Sequence, residues 1–318
     1  MEKILKDKTA SIKARLLGIA SRSKLDFDSL LLRYMQERFL YRLMLSGFSD
    51  NFILKGGFLL ICLNMPWPRT TKDVDFLARG LKNVDTEFET IFGDIAAIPD
   101  DDGVHFDVSS IFSESIIENS DYKGIRIKLD AFLGKARKSL QFDIGFGDSI
   151  WPEPVTLEFP SLLEGMNPKL RAYPVESIIA EKFEIMLKLE ALNSRMKDFY
   201  DIYCLSHSYD FSGEVLKCAI ESTLKTRQTV IAGIPVIFRK EFRDDRMKQK
   251  QWGAFLRKTR LENVSKDFAE IMKRVTDFLM PISLSINGKE TINTVWERNE
   301  GTWAITREEV ENHIYSSH

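Results

Sequence analysis

The chain is predicted to be α+β: a small mixed β-sheet flanked by helices over residues 1–155, followed by a mainly helical C-terminal domain over 156–318. Three observations predict this. Short segments around Asp73-Val74-Asp75-Phe76 and Leu140 to Phe146 alternate polar and apolar residues with the period of a strand. Asp28 to Gly47 and Asn83 to Ile98 instead repeat apolar residues at helical spacing. Beyond Pro152 and Pro154 the pattern turns helical and stays so to about Leu279. At 318 residues the chain also exceeds one typical domain.

In chain order, Met1 to Lys8 alternates charged and apolar residues without the apolar core of a secretory signal, so a cytoplasmic protein is expected. Asp28-Ser29 starts a helix whose apolar face runs through Leu32, Met35, Phe39 and Leu43, and Ser46-Gly47 stops it. Phe52-Ile53-Leu54 is a short buried strand, and Gly56-Gly57 turns it tightly into a buried helix that Pro66 and Pro68 end. That apolar run, Gly56 to Met65, is much shorter than the ~20 residues of a membrane span. Val104 to Gly147 holds three extended stretches, parted by turn signals at Asn119-Ser120-Asp121 and Gly134-Lys135.

Composition excludes several classes. With 44% hydrophobic and 29% charged residues and a net charge of −2, the chain is neither disordered nor fibrous. Cys62, Cys204 and Cys218 have no C-x-x-C spacing, which suits buried thiols in a reducing compartment. There is no G-x-x-x-x-G-K-[ST] loop, and His105, His207, His313 and His318 show no zinc spacing.

The chemistry concentrates between Lys55 and Asp75. Side chains two apart on a strand project the same way, so Asp73 and Asp75 face a cleft while Val74 and Phe76 pack inward. A lone D-x-D is ordinarily a solvated strand. Here it follows a glycine turn able to admit a phosphate, and Mg²⁺ prefers one or two carboxylates completed by phosphate and water. Asp143, opposite in face to Leu140, Phe142, Ile144 and Phe146, is the third carboxylate; Asp130 and Asp107 are the alternatives. In the helix from about Val175, Lys182 interrupts the stripe of Ile178, Ile185 and Leu189, where a cation needs either a partner or a route to solvent. Asp198 and Asp201 share a face of the next helix.

Leu54-Lys55-Gly56-Gly57, Arg69-Thr70-Thr71-Lys72-Asp73-Val74-Asp75-Phe76, Phe142 to Asp148, Glu181-Lys182-Phe183 and Lys197-Asp198-Phe199-Tyr200-Asp201 occur in one order. This set resembles the AbiEii-type nucleotidyltransferase toxins of the DNA-polymerase-β-like nucleotidyltransferase superfamily, from bacterial abortive-infection and toxin–antitoxin systems. The resemblance implies a nucleotidyltransferase core and a reaction that moves a nucleoside monophosphate from a nucleoside triphosphate onto an acceptor, releasing pyrophosphate. It implies Asp73, Asp75 and Asp143 as ligands of Mg²⁺, or of Mn²⁺ in its place. Gly56, Gly57 and Lys182 would contact the nucleotide, Asp198 would be a required acid, and an antitoxin would be the partner; Arg69 and Lys72, cations of the loop before the D-x-D, are read beside them as nucleotide contacts that neutralise the departing pyrophosphate. Phe58 stands where many members of the superfamily carry Ser or Thr.

Phe238 to Arg260 carries nine Lys or Arg against three acids, with Phe242, Trp252 and Phe255 interleaved. Arg239, Lys240, Arg243, Arg246, Lys248, Lys250, Arg257 and Lys258 are read as an RNA-binding surface, for an acceptor such as a tRNA 3′ end. The competing reading is a solvated helix whose aromatics face the core. A transferase acting on a small molecule or protein would not need the tract, and a catalytically degenerate nucleotide-binding regulator would release no pyrophosphate.

Overall fold

The computed structural model describes residues 2–23, 25–63, 69, 71–118, 122–165, 167–288 and 292–305. The expected helix stop at Pro66 and Pro68 and the turn at Asn119-Ser120-Asp121 lie outside the described residues, as does Thr70. The chain forms two compact units: Met1–Asn64, Thr70–Gly147 and Pro154–Tyr173 in the first, and Met65–Arg69, Asp148–Glu153 and Pro174–His318 in the second.

The first unit begins with helices α1 (Glu2–Ser23) and α2 (Phe27–Leu45), then strand β1 (Phe52–Lys55). A short helix α3 (Gly56–Leu59) runs on as a 3-10 turn over Leu60–Leu63. Strand β2 (Asp73–Ala78), helix α4 (Asp85–Ala97), and strands β3 (Val104–Glu118), β4 (Tyr122–Leu133), β5 (Ala136–Phe146), β6 (Val155–Glu158) and β7 (Lys169–Ala172) follow. Helix α2 starts earlier than Asp28-Ser29 suggests, because the carboxylate of Asp26 accepts the Ser29 N–H at 2.9 Å and makes Asp26 the cap.

The seven strands make one mixed sheet in the order β3-β4-β5-β2-β1-β7-β6. Strand β2 lies parallel to β5 and antiparallel to β1, which puts the D-x-D strand at the centre. Its apolar face meets α2 and α4 through a phenylalanine cluster: Phe39 lies 4.4 Å from Phe142 and 5.2 Å from Phe92, and Phe52 lies 5.4 Å from Phe76. All five rings are essentially buried, and each stabilises the fold by about 2 kcal/mol on the usual transfer scale.

The second unit holds α5 (Val175–Leu189), α6 (Met196–Ser208), β8 (Phe211–Ser212), α7 (Gly213–Thr226), α8 (Lys240–Arg243), α9 (Arg246–Thr259), α10 (Phe268–Gly288), β9 (Thr294–Glu297) and β10 (Thr302–Ile305). Two departures from the expected helical pattern stand out. After Pro154 the chain first adds β6 and β7 to the large sheet, and only at Val175 does it turn helical. Near the end, β10-β9-β8 form a small sheet. It is held by Trp296, whose indole N–H donates to the Ser206 carbonyl at 2.8 Å, and by Trp303, which donates to Phe278 at 3.0 Å. Strands of two to four residues are too short for a period to show. Cys62, Cys204 and Cys218 are free thiols, and no described helix is long and apolar enough to cross a membrane.

Candidate active site

The first constellation forms where β1 ends. Lys55 is extended, and Gly56 then takes φ +66°, a left-handed conformation that side chains disfavour. Space gives a second reason for glycine, since a Cβ on Gly56 would lie 2.1 Å from Oδ2 of Asp75. The Asp75 carboxylate therefore rests directly against the turn. Gly57 is buried behind it. Phe58 points into the core and stacks on Phe159 at 4.9 Å, so the residue that replaces a hydroxyl is a packing residue here.

Register explains why the carboxylates meet. Lys55 pairs with Asp75, Asp75 with Asp143, Asp143 with Arg126, and Arg126 with Glu114. Directly opposed residues share a face, so five charged residues cross the sheet in one line, on the face opposite the phenylalanines. One row away, Asp73 pairs with Gln141, and Gln141 with Lys128. Asp73 and Asp75 are half-buried.

Asp143 has a firm partner. Arg126 grips it with both arms, Nε to Oδ1 and Nη2 to Oδ2, each at 2.8 Å, and Gln141 adds a donor at 3.3 Å. The Arg126 proton affinity is pushed up chiefly by its hydrogen bond to Asp143, against burial, with the charges of Asp143 and Asp73 adding to the effect. Among the described residues no three or more His, Cys, Asp or Glu side chains gather as a metal cluster. Asp130 is paired with Arg137 and Asp107 with Ser109, so neither alternative acid joins the D-x-D row. Lys72 is exposed, and its carbonyl accepts from Gln36 at 2.6 Å.

The second constellation lies in the second unit. Lys182 takes a partner rather than a route to solvent, and its ammonium sits 2.9 Å from Asp198 and 2.7 Å from Asp201. Arg69 closes a two-armed pair on Asp201, both bonds at 2.7 Å, and Arg195 Nε reaches Asp198 at 2.6 Å. Three cations thus surround two carboxylates. Burial opposes the Lys182 charge, but Asp198 and Asp201 outweigh it and hold its proton affinity above the usual lysine value. Burial would also raise Asp198, yet Lys182 and Arg195 bring it down to about 2. Asp201 is lowered against burial in the same way by Lys182 and Arg69.

The sequence pattern marked Asp201 only as the face-mate of Asp198, without a role, and did not mark Arg195, Arg126 or Arg227 as site residues. Arg227 ties together the motif residues Asp148 and Glu181, at 2.9 and 3.2 Å, and Glu184 at 3.0 Å. Of the three arginines only Arg126 carries a sequence signal: counting outward from the Gly134-Lys135 turn pairs Leu133 with Ala136, and then Arg126 with Asp143.

The basic tract is corrected in part. Lys248 is buried, and it donates to the carbonyls of Ala191 and Asn193, both at 2.7 Å, so it is no RNA contact. Phe242 and Trp252 are core residues and cannot stack on bases; the Trp252 indole is spent on the Ser265 carbonyl. Lys240 and Arg243 pair with Asp244. Arg239, Arg246, Lys250, Arg257 and Lys258 are exposed.

A glycine turn pressed against a D-x-D strand at the centre of a mixed sheet is the arrangement a nucleotidyltransferase core needs, and comparison with known families agrees. The chain belongs to the AbiEii family: the family model, described as nucleotidyl transferase AbiEii toxin of a Type IV toxin–antitoxin system, matches residues 38–274. It is thus a nucleotidyltransferase of a toxin family, and that family description implies a nucleotide substrate and a cognate antitoxin. No curated protein matches the chain. Among solved structures, it is similar to MenT4, a nucleotidyltransferase toxin from Mycobacterium tuberculosis H37Rv, at 16% identity and a TM-score of 0.48, covering 87% of this chain and 98% of that one. It is also similar to JHP933 from Helicobacter pylori, at 15% identity and a TM-score of 0.46, covering 83% and 96% respectively.

Proposed function

We propose that this chain is a Mg²⁺-dependent toxin that transfers a nucleoside monophosphate from a nucleoside triphosphate to an RNA acceptor, with the 3′ end of a tRNA as the favoured class. The observation that carries the chemistry is the contact between the Gly56 turn and Asp75, since it sets a side-chain-free stretch of backbone directly against a hard oxygen donor.

The residues fit a magnesium ion. Asp73 and Asp75 offer two carboxylates on one face, and phosphate and water complete such a shell. Asp143 can join them while keeping Arg126, because an ionised carboxylate has about four lone-pair sites and Arg126 takes two. When bound, the ion would neutralise charge on the triphosphate and polarise the α-phosphorus. The turn at Gly56 and Gly57 would receive phosphate oxygens, and exposed Lys72 would add a cation near them. The acceptor oxygen bonds to the α-phosphorus as the bond to the bridging oxygen breaks; pyrophosphate leaves, and the hydroxyl proton passes to a carboxylate of the row or to water. Lys182 and Asp198 enter as a required charged pair.

RNA as acceptor rests on α9. Arg246, Lys250 and Arg257 fall within about 40° of one another at 100° per residue, with Gly253 between them on the same stripe, while Lys248, Trp252 and Leu256 face inward. A cationic stripe free of bulk suits a phosphate backbone.

The test is incubation of the purified protein with Mg²⁺, each α-labelled nucleoside triphosphate and total bacterial RNA, beside Asp75→Ala. Label in a tRNA-sized band only with intact Asp75 supports the proposal. Label in protein or small molecules would keep the transferase and remove RNA.

A further inference from the structure

The first unit contains a cavity of about 300 Å³ whose lining includes neither the glycine turn nor the D-x-D strand. It lies among α1, α2, the loop before β3 and the loop before β7. Arg38, on its wall, is 8% exposed. A guanidinium so buried ordinarily faces a carboxylate, because an uncompensated cation out of water is costly. Here the nearby acids make their hydrogen bonds elsewhere, although the charge of Arg38 still acts on Glu37. Glu37 accepts from Arg33 at 2.8 Å and from the Leu162 N–H at 2.9 Å, Asp102 is gripped by Arg42 at 2.6 Å, and Asp101 holds Lys8.

What Arg38 does touch is neutral. Its Nη2 donates to the Ser161 hydroxyl at 3.1 Å, and its guanidinium lies over the rings of Tyr34 and Tyr41, at 5.7 and 5.4 Å. Rings steady a cation without cancelling its charge. The Nε–H of Arg38 has no hydrogen-bond partner among the described residues. Arg15 lines the same space and also the open groove that continues along α1 to Arg22. Asp100, Asp101, Asp102 and Glu164 line the cavity too: Asp100, Asp101 and Glu164 are exposed, where water and salt screen them, and buried Asp102 is neutralised by Arg42.

We propose that this cavity is a binding site for a phosphate group, taken by the Arg38 guanidinium and assisted by Arg15. A guanidinium fork matches the spacing of phosphate oxygens, and the volume is that of a small-ligand pocket. Inorganic phosphate, pyrophosphate and the phosphate end of a nucleotide share this chemistry.

The test is isothermal titration calorimetry on the full-length chain carrying Asp75→Asn, in EDTA, so that metal-dependent binding at the D-x-D strand is suppressed. The titrants are phosphate, pyrophosphate and ATP at matched ionic strength. Binding at one site is expected for at least one of them, weakened about tenfold or more by Arg38→Met, which is a loss of ~1.4 kcal/mol or more, and severalfold by Arg15→Gln. Arg15 is exposed, so its variant separates lost binding from lost folding. ATP binding more tightly than pyrophosphate would support the site with a nucleotide as its ligand, and inorganic anions binding as well or better would support it with a free anion. No heat from any titrant at millimolar concentration, or unchanged affinity in both arginine variants, overturns the proposal.

Discussion

A methyl group at position 56 has nowhere to go, because Asp75 already occupies the space and φ is positive there. Gly56→Ala is therefore expected to destabilise the protein by about 1–3 kcal/mol in urea unfolding and to displace the Asp75 carboxylate, with transfer lost alongside. Asp75→Asn keeps the shape and removes the charge, so it should fold normally yet lose transfer by at least about a hundredfold, the scale of one missing electrostatic contact in a transition state. Undiminished turnover in Asp75→Asn would sink the assignment of the D-x-D strand. Lys248 invites the opposite expectation. Its ammonium satisfies two carbonyls inside the fold, so Lys248→Ala should cost about 1–3 kcal/mol of stability and leave RNA affinity per folded molecule unchanged.

At the scale of elements, helix α9 shows how a charge run divides. Arg246, Lys250 and Arg257 form the outer stripe and Lys248 belongs to the inner one, although all four look alike in the sequence. Reversing the outer three to Glu should weaken RNA binding and flatten its salt dependence by about 0.7–0.9 in log–log slope per phosphate contact removed. Circular dichroism should show no loss of helix. RNA binding that is insensitive to both salt and these changes would remove RNA as the acceptor. Pairing between strands likewise divides the acids: Asp143 enters the active row because β5 runs beside β2, whereas Asp130 and Asp107 lie with their own partners.

Across the whole molecule, the ion network of the second unit links stability to pH. Asp198 is held near 2 in the folded protein against 3.8 ordinarily, so its contribution is complete above about pH 4 and is lost as pH falls towards 2. The amount is about 2 kcal/mol from the size of that shift. Chemical unfolding followed from pH 5 to 2 should show this loss, and Asp198→Asn should flatten it while costing about 3 kcal/mol near neutrality, because Lys182 and Arg195 lose a buried partner. A variant with the full acid slope would place the titrating group elsewhere.

The local pattern of residues by itself determined the D-x-D strand, the glycine turn, the helices α2, α4, α5 and α6 and the place of Lys182 in an apolar stripe, but not whether that lysine turns inward, because hydrophobic period and backbone freedom are properties of a few neighbouring residues. Tertiary structure decided everything that depends on contact between segments distant in sequence. It paired Lys182 with both Asp198 and Asp201, spent Arg69 on Asp201 and Arg126 on Asp143, buried Lys248 and turned Phe58 onto Phe159. It also drew β6 and β7, four residues each, onto the large sheet. A charged side chain carries no local mark of its partner; the partner is set by which strands and helices pack together, and that is settled only when the whole apolar surface is buried at once.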